Sequence, residues 1–158
     1  MSKRWRRGVV LSAMGAALVS VGGGYRARAQ EPDEDAKSAA EIRAHYTKYE
    51  FRIPMRDGAK LFTAVYVPKD ASPIKTYPFL IERTPYSVSP YGADNYPKHL
   101  GPAPSFVADG FVFVYQDVRG RFQSDGTFIE MTPHKDHKKD AKDVDESSDT
   151  YDTIDWLL

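Results

Sequence analysis

The sequence contains no cysteine among its 158 residues. This absence excludes disulfide frameworks, thiolate metal sites, cysteine nucleophiles and a lipid anchor attached to cysteine. The sequence also lacks an apolar run of about 20 residues, the length that a helix needs to span a bilayer. Internal repeats and low-complexity tracts are absent as well.

Basic residues are in the minority outside the first 29 residues. That segment holds six cations and no anion, so residues 30–158 hold 16 cations against 22 anions, a net charge of −6. An acidic protein repels phosphate groups, which argues against a nucleic-acid partner. With 41% hydrophobic and 13% aromatic residues the composition is that of a globular protein, and the length fits at most one domain.

Residues 1–29 have the three parts of a secretory signal peptide. A basic start precedes a mostly apolar run from Val9 to Val21, and Ala27-Arg28-Ala29 has the small residues of a cleavage site. The apolar run is shorter than a membrane span, which argues against a membrane anchor. We therefore predict a secreted or periplasmic protein that begins at Gln30. The pair Arg6-Arg7 fits both the general secretory (Sec) route and the twin-arginine route.

Residues 30–48 form a polar N-terminal arm. Ala36 to Ala44 could be helical, but Pro32 and the acidic residues beside it favour a mobile lead-in. This arm is expected to contribute little to the core.

An antiparallel hairpin is predicted from residue 49 onward. Tyr49, Phe51 and Ile53 alternate with charged residues, the period of a half-buried strand. An Asp-Gly turn at residues 57–58 follows, and an apolar run from Leu61 to Val67 provides the return strand.

Two further strands are predicted at residues 78–82 and 111–115. The second is apolar at every position, which is typical of a strand in the middle of a parallel sheet. Between them, residues 105–109 followed by Gly110 resemble the end of a helix. Strand, helix and strand in this order predict a right-handed crossover between parallel strands. The predicted fold class is therefore α/β, with an antiparallel hairpin leading into a parallel sheet.

The last ten residues begin like a helix without ending like one. Asp149 is placed to cap it, and Tyr151, Ile154 and Leu158 share one face. Neither a glycine, a proline nor a basic last turn closes it. The parallel sheet would also have too few strands to cover its central strand on both edges. We therefore expect a truncated chain.

Serine and histidine residues do not form a recognisable catalytic or metal site. None of the 11 glycines is followed by serine two positions later, so the Gly-x-Ser-x-Gly turn of α/β-type serine hydrolases is absent. His134 and His137 lack the helical spacing of zinc ligands and have lysines beside them, which favours a solvated loop. The acidic residues from Asp143 to Asp149 lack the glycine and spacing of a calcium loop. No metal or cofactor is predicted.

Asp117-Val118-Arg119-Gly120 follows the apolar strand, at the edge where α/β sheets bind ligands. Asp117 and Arg119 could border a pocket. The alternative, which we favour, is that they form an ion pair that supports a tight turn, with Gly120 at positive φ.

Tyr86 follows the third predicted strand in the sequence Arg83-Thr84-Pro85-Tyr86. The loop after this strand supplies one half of the oxyanion hole in α/β-hydrolases. A tyrosine hydroxyl there could donate a hydrogen bond to a developing oxyanion. From the residues alone, a tyrosine that only packs its loop is the more ordinary interpretation.

Six segments between Tyr49 and Leu158 carry a resemblance to a known family, in the same order and at natural spacing. They are Ile53–Gly58, Leu61–Pro68, Glu82–Tyr86, Tyr115–Phe122, Gln123–Gly126 and Tyr151–Leu157. The chain resembles the start of the catalytic domain in the family of cocaine esterases, X-Pro dipeptidyl-peptidases and α-amino-acid ester hydrolases. The signal peptide and the Tyr91-Gly92 region look most similar to the exported α-amino-acid ester hydrolase branch, with cephalosporin acylases as neighbours.

This resemblance implies an α/β-hydrolase fold with a Ser-Asp-His triad, of which residues 49–158 would be the N-terminal portion. The family's oxyanion tyrosine maps onto Tyr86, whereas the nucleophile would lie beyond Leu158, so the chain alone is expected to be inactive. Asp117 and Arg119 match family positions of the scaffold. The implied substrates are small esters or amides, including amino-acid esters and β-lactams, with no cofactor. The arm from Gln30 to His45 hints at a homo-oligomer.

A non-catalytic exported binding or structural module is the alternative hypothesis. Residues 84–104 hold five prolines and three tyrosines, and an irregular stretch of about 20 residues is uncommon in a compact domain unless it is functional. This Tyr/Pro loop would then be an aromatic ligand surface.

Overall fold

The computed structural model describes residues 33–130 and 132–158. Its elements are the helix α1 (Glu34–His45), the strands β1 (Tyr46–Pro54), β2 (Lys60–Pro68) and β3 (Phe79–Thr84), the helix α2 (Pro104–Asp109), the strand β4 (Val112–Asp117) and the helix α3 (Glu146–Leu157). The predicted signal peptide lies outside the described residues. Within them, no helix combines the length and apolar character that crossing a membrane requires.

The four strands form one mixed sheet in the order β1-β2-β4-β3. The pairs β1–β2 and β2–β4 are antiparallel, and β3–β4, which α2 connects, is parallel. The predicted α/β class and the hairpin leading into a parallel pair are confirmed. The expectation that there are too few strands to cover the central strand on both edges is wrong, because Val114 of β4 lies opposite Val65 on one side and Ile81 on the other. The hairpin itself supplies the second neighbour.

The hairpin turns where its Asp-Gly pair predicts. Backbone hydrogen bonds join Met55 to Ala59 and Gly58 to Met55, and Gly58 has a φ of +90°. A positive φ costs glycine little, because it has no Cβ. The register pairs Ile53 with Leu61, and both side chains are buried.

The core lies on the face of the sheet that α1 and the Tyr/Pro loop cover. It consists of Ile42, Tyr46, Phe62, Ala64, Tyr66, Val88, Leu100 and Phe113. The loop contributes Val88 and Leu100, so it is anchored by burial of apolar side chains rather than being a free surface. Aromatic contacts such as Tyr66 against Tyr96 tie it further to β2.

The arm is a helix in most of its length, so the expected mobile lead-in is wrong for residues 34–45. Acidic residues occupy its first turn and Arg43 its last, which suits the helix dipole. Its Ile42 enters the core, and Arg43 pairs with Asp94 at 2.9 Å while lying over the ring of Tyr96. These contacts with the Tyr/Pro loop give the helix the tertiary support that a short isolated helix lacks.

The helix α3 begins at Glu146 and is capped by Asp145, so the prediction of Asp149 as the cap is wrong. The Asp145 carboxylate accepts from the Ser148 amide at 2.8 Å, and the Ser148 hydroxyl closes a reciprocal capping box. Asp149 lies one turn later, fully buried, and accepts hydrogen bonds from Arg119. The Asp149 carboxylate cannot bond to both the N-terminus of the helix and the distant Arg119, so Asp145 caps the helix instead.

The buried Asp145 predicts acid sensitivity of the fold. Burial alone would raise its pKa, but hydrogen bonds from the amides of Lys135 and Ser148 and from the Lys138 ammonium outweigh it and hold the pKa of Asp145 well below its ordinary value. A carboxyl group with a pKa lower in the folded than in the unfolded chain stabilises the fold above its unfolded pKa, and this contribution is lost as the pH falls.

We therefore expect the free energy of unfolding to decrease below about pH 4, where an unfolded aspartate takes up a proton. Urea unfolding measured between neutral pH and about pH 3 tests this expectation. Asp145→Asn should flatten the decrease, whereas Asp136→Asn, which alters an exposed carboxylate, should leave it unchanged. Equal slopes in both variants would contradict the assignment.

Candidate active-site loop

Tyr86 lies just beyond the carboxyl end of β3, beside the end of β4. Thr84 and Asp117, the last residues of these two parallel strands, are register partners. The side chain of Tyr86 is 85% exposed, so its hydroxyl is available to a ligand. The structure thus places the predicted site residue at the sheet edge where α/β folds bind ligands.

The backbone around Tyr86 is held by neighbouring side chains. The Thr84 hydroxyl accepts from the Tyr86 amide at 3.1 Å, and the Arg121 guanidinium donates to the Pro85 carbonyl at 3.0 Å. Ser87, the next residue, has a φ of +86°. A non-glycine residue in this region persists only where its surroundings hold it, and such residues cluster at functional sites.

Asp117 also forms hydrogen bonds with the loop that carries Tyr86. It is 0% exposed, and its carboxylate accepts from the Val88 amide at 3.1 Å and from the Tyr91 hydroxyl at 2.9 Å. The Tyr91 hydroxyl is also 3.0 Å from the Ser87 hydroxyl. Burial, together with the hydrogen bond to the negative Asp117, raises the pKa of Tyr91 despite the opposing Ser87 contact.

Arg119 joins two segments that are far apart in the chain. Its guanidinium donates to both carboxylate oxygens of Asp57, at 2.8 and 3.2 Å, and to those of Asp149, at 2.7 and 3.0 Å. The hydrogen bonds with Asp149 raise the pKa of Arg119 most, against burial, and Asp57 adds to the effect. The group is therefore a fixed cation that clamps the hairpin turn to α3.

The predicted ion pair between Asp117 and Arg119 is therefore wrong, because each side chain has other partners. Both are structural, as the family resemblance implies for these positions. The positive φ of Gly120 is confirmed at +70°. A Cβ there would lie 2.0 Å from the Phe128 amide nitrogen, so only glycine fits.

The interactions of two largely buried cations, Arg83 and Lys48, were not predicted from the sequence. Arg83 is 10% exposed and donates to Gln116 and Glu146 at 2.7 Å each, while one terminal nitrogen is buried without a hydrogen-bond partner. Lys48 is buried among carbonyl groups of the Tyr/Pro loop. The signal that could have found them is a charged residue at an inward position of a strand, which requires a partner.

The loop that contains His134 and His137 forms no cluster of metal-binding side chains in the part of the chain that the structure describes. No group of three histidine or acidic residues is placed to hold an ion there. The Nδ1 atom of His134 instead lies 3.2 Å from the Asp145 carboxylate, close to the start of α3.

Comparison with known proteins identifies relatives of this chain. The family model of the X-Pro dipeptidyl-peptidase (S15 family) matches residues 57–158. Cocaine esterase from Rhodococcus sp. (strain MB1 Bresler) is 34% identical over 111 residues, which cover 67% of this chain and 16% of the esterase.

Two solved structures are similar in fold and sequence. An aminopeptidase from the marine sediment archaeon Thaumarchaeota archaeon has a TM-score of 0.57 and 35% identity, over 72% of this chain and 19% of its own. A selenomethionine-labelled α-amino acid ester hydrolase has a TM-score of 0.58 and 32% identity, over 85% and 22%. The chain thus spans between 16% and 22% of the length of these relatives.

These likenesses bear out the resemblance found in the sequence. The mixed sheet with its crossover is the arrangement that the α/β-hydrolase fold implies, and it aligns with the α-amino acid ester hydrolase over most of the chain. These relatives are an esterase, an aminopeptidase and an ester hydrolase, all of which cleave ester or peptide bonds. The match over residues 57–158 shows that the chain belongs to the S15 family of X-Pro dipeptidyl-peptidases and their esterase relatives.

Proposed function

We propose that this chain is the N-terminal part of an exported serine hydrolase, in which Tyr86 donates a hydrogen bond to the oxyanion. The single observation that carries the proposal is the exposed Tyr86 at the carboxyl end of β3, in a chain of a hydrolase family. In this proposal the serine nucleophile lies in a further part of a longer protein, which is supported by the chain spanning only 16% to 22% of the length of its relatives. We infer that residues 1–158 alone are inactive.

The proposed chemistry is acyl transfer. The serine gives its proton to a general base and its oxygen bonds to the carbonyl carbon of an ester or amide, while the π electrons of the carbonyl collect as negative charge on the carbonyl oxygen. Collapse of this tetrahedral intermediate breaks the bond to the alcohol or amine, which leaves with the proton, and water then releases the acyl group in the same way. A phenol and a backbone N–H that already point at this oxygen stabilise the charge without reorganising. The hydrogen bonds that hold the Tyr86 amide and the Pro85 carbonyl support this role, because a donor that moved freely would have to be ordered at each turnover.

The substrate we propose is a small ester or amide, with amino-acid esters and β-lactams first. Support comes from the α-amino acid ester hydrolase, which is 32% identical and aligns over 85% of this chain. Esters such as the substrate that names cocaine esterase, and the peptide bonds that an aminopeptidase cleaves, are the next classes to test.

We also propose that the protein acts outside the cytoplasm. The basic, apolar and small-residue parts of residues 1–29 support export by the Sec or the twin-arginine route. Residues 30–158 carry a net charge of −6, which suits a small-molecule substrate rather than a nucleic acid. The helix α1 of the N-terminal arm is compatible with a contact between the subunits of a homo-oligomer.

One experiment tests export and the reaction class together. The complete reading frame is expressed, and the exported protein is treated with a fluorophosphonate, which labels activated serines. We expect a mature chain that begins at Gln30, a label on a serine within Gly-x-Ser-x-Gly beyond Leu158, and hydrolysis of p-nitrophenyl esters. A polypeptide of residues 1–158 is the unlabelled control.

The outcomes separate the alternatives. A mature N-terminus still at Met1 would refute export without affecting the reaction class. A stop codon after Leu158, or a complete protein that takes no label and hydrolyses no ester, would refute the hydrolase and favour an exported binding module built around the Tyr/Pro loop.

A further inference from the structure

The residue after Tyr86 has a backbone conformation that must be imposed by its surroundings. Ser87 has a φ of +86°, in the left-handed region that is unfavourable for any residue with a Cβ. Relaxation of Ser87 would rotate the chain on either side of it, and Tyr86 with it. Whatever holds Ser87 therefore also sets the direction of the Tyr86 side chain.

A series of two hydrogen bonds among three side chains holds Ser87 in this conformation. The Ser87 hydroxyl lies 3.0 Å from the Tyr91 hydroxyl, which lies 2.9 Å from the Asp117 carboxylate. A phenol has one hydrogen, and the carboxylate can only accept. Tyr91 therefore donates to Asp117, and Ser87 donates to Tyr91. Hydrogen bonds in such a chain strengthen one another when they are shielded from water.

The far end of this chain is fixed to the sheet. Asp117 is the last residue of β4 and is 0% exposed. Its other carboxylate oxygen accepts from the Val88 amide at 3.1 Å, so Asp117 also holds the backbone of the residue that follows Ser87. The Tyr91 ring packs edge-on against Phe62 of β2, with 5.1 Å between the ring centroids.

We propose that Tyr91 is a positioning residue for Tyr86, acting through Ser87 with Asp117 as its fixed support. The inference rests on the proposed oxyanion role of Tyr86 and adds a second tyrosine to that site. Tyr91 touches neither the substrate nor the oxyanion. Its hydroxyl links the rigid end of β4 to the loop that presents the donor, and loss of this link lets the Tyr86 hydroxyl depart from the geometry that the transition state needs.

The test is Tyr91→Phe in the complete enzyme, which removes one hydroxyl and keeps the ring against Phe62. We expect kcat for p-nitrophenyl ester hydrolysis to decrease about tenfold with KM within about twofold, because small misplacements of a catalytic donor are costly. Tyr96→Phe is the matched control. Tyr96 lies in the same loop, but its hydroxyl accepts from the amide of Lys48 on β1 at 3.0 Å and is not bonded to Ser87 or Asp117. Its loss should leave kcat unchanged.

A double-mutant cycle with Tyr86→Phe separates positioning from mere loop stability. If Tyr91 acts through the Tyr86 hydroxyl, Tyr91→Phe has no further effect on kcat once that hydroxyl is gone. Should Tyr91→Phe fail to fold, Ser87→Ala removes the other end of the chain and leaves Tyr91 bonded to Asp117. It should lower kcat several-fold with the same non-additivity.

Each outcome has one meaning. If Tyr86→Phe lowers kcat and Tyr91→Phe has no effect, the positioning role is overturned and the oxyanion role stays intact. The same conclusion follows if the effects of the two substitutions on kcat multiply. An equal loss in Tyr96→Phe also overturns the positioning role, because loop stability would then explain both losses. Unchanged kcat in Tyr86→Phe overturns the oxyanion role itself, and the positioning role with it.

Discussion

On the proposed oxyanion role, replacing Tyr86 with phenylalanine in the complete enzyme is expected to lower kcat by about 100-fold or more, the usual loss when one oxyanion donor is removed. The substitution deletes only the hydroxyl of a side chain that is 85% exposed, so the fold should be unaffected. The oxyanion exists only in the transition state and the tetrahedral intermediate, so KM should stay within about twofold. Steady-state kinetics with a p-nitrophenyl ester measures both parameters.

Tyr49→Phe is the matched control for this experiment. Tyr49 is a partly exposed tyrosine on β1, at the opposite edge of the sheet from β3. Its variant should have the kcat of the parent enzyme. If Tyr86→Phe also had the parent kcat, Tyr86 would be no more than a surface residue of its loop, the ordinary interpretation that the sequence left open.

Replacing Lys48 with methionine is expected to destabilise the protein by about 3 kcal/mol or more, the range for removing one member of a buried ion pair. The Lys48 side chain is 0% exposed. Its ammonium donates to the carbonyl groups of Pro90, Gly92 and Asn95, at 2.6, 3.0 and 3.1 Å, and lies 2.8 Å from the Glu50 carboxylate. Methionine has a similar length and no donor, so these acceptors would lose their partner.

The expected cost has a local consequence that can be measured separately. The three carbonyl groups belong to residues 90–95, so the Tyr/Pro loop should open before the sheet does. Urea unfolding of the complete protein followed by circular dichroism reports the loss of stability, and limited proteolysis reports cleavage between residues 84 and 104. Both should change in the Lys48→Met variant.

Lys37→Met is the control for charge removal alone. Lys37 pairs with Glu34 on the exposed surface of α1 at 2.9 Å. Pairs of this kind contribute about 0.5 kcal/mol or less, so this variant should unfold close to the parent. If Lys48→Met had the same free energy of unfolding as Lys37→Met, water would satisfy the carbonyl groups around residue 48. Lys48 would then not stabilise this loop.

Much of the backbone could be predicted from local pattern. The alternation at Tyr49, Phe51 and Ile53, the Asp-Gly turn and the run from Leu61 predicted the hairpin, because a strand alternates its faces every second residue. The parallel pair followed from a strand, a helix end and an apolar strand in that order. Local pattern failed at α3, where Asp145 and Asp149 are both acceptable caps.

The interactions around the candidate site could not be predicted in this way. Asp117 and Arg119 are two residues apart and suggested a pair, yet Asp117 bonds to Tyr91 and Arg119 to Asp57 and Asp149. Whether a charge contacts its neighbour or a residue 62 positions away is decided by which strands lie side by side. The order β1-β2-β4-β3 is a property of the assembled sheet.

The strands, the hairpin, the family resemblance and the location of Tyr86 after the third strand follow from the amino-acid sequence. These features depend on residues close together in the chain, because periodicity and turn chemistry are local properties. Three interactions instead depend on the folded arrangement: Lys48 binds the carbonyl groups of the Tyr/Pro loop, Asp145 caps α3, and Tyr91 and Asp117 hold Ser87 beside the exposed Tyr86. A buried polar group must find a partner wherever the fold brings one within reach, and that partner is set by packing rather than by distance along the chain.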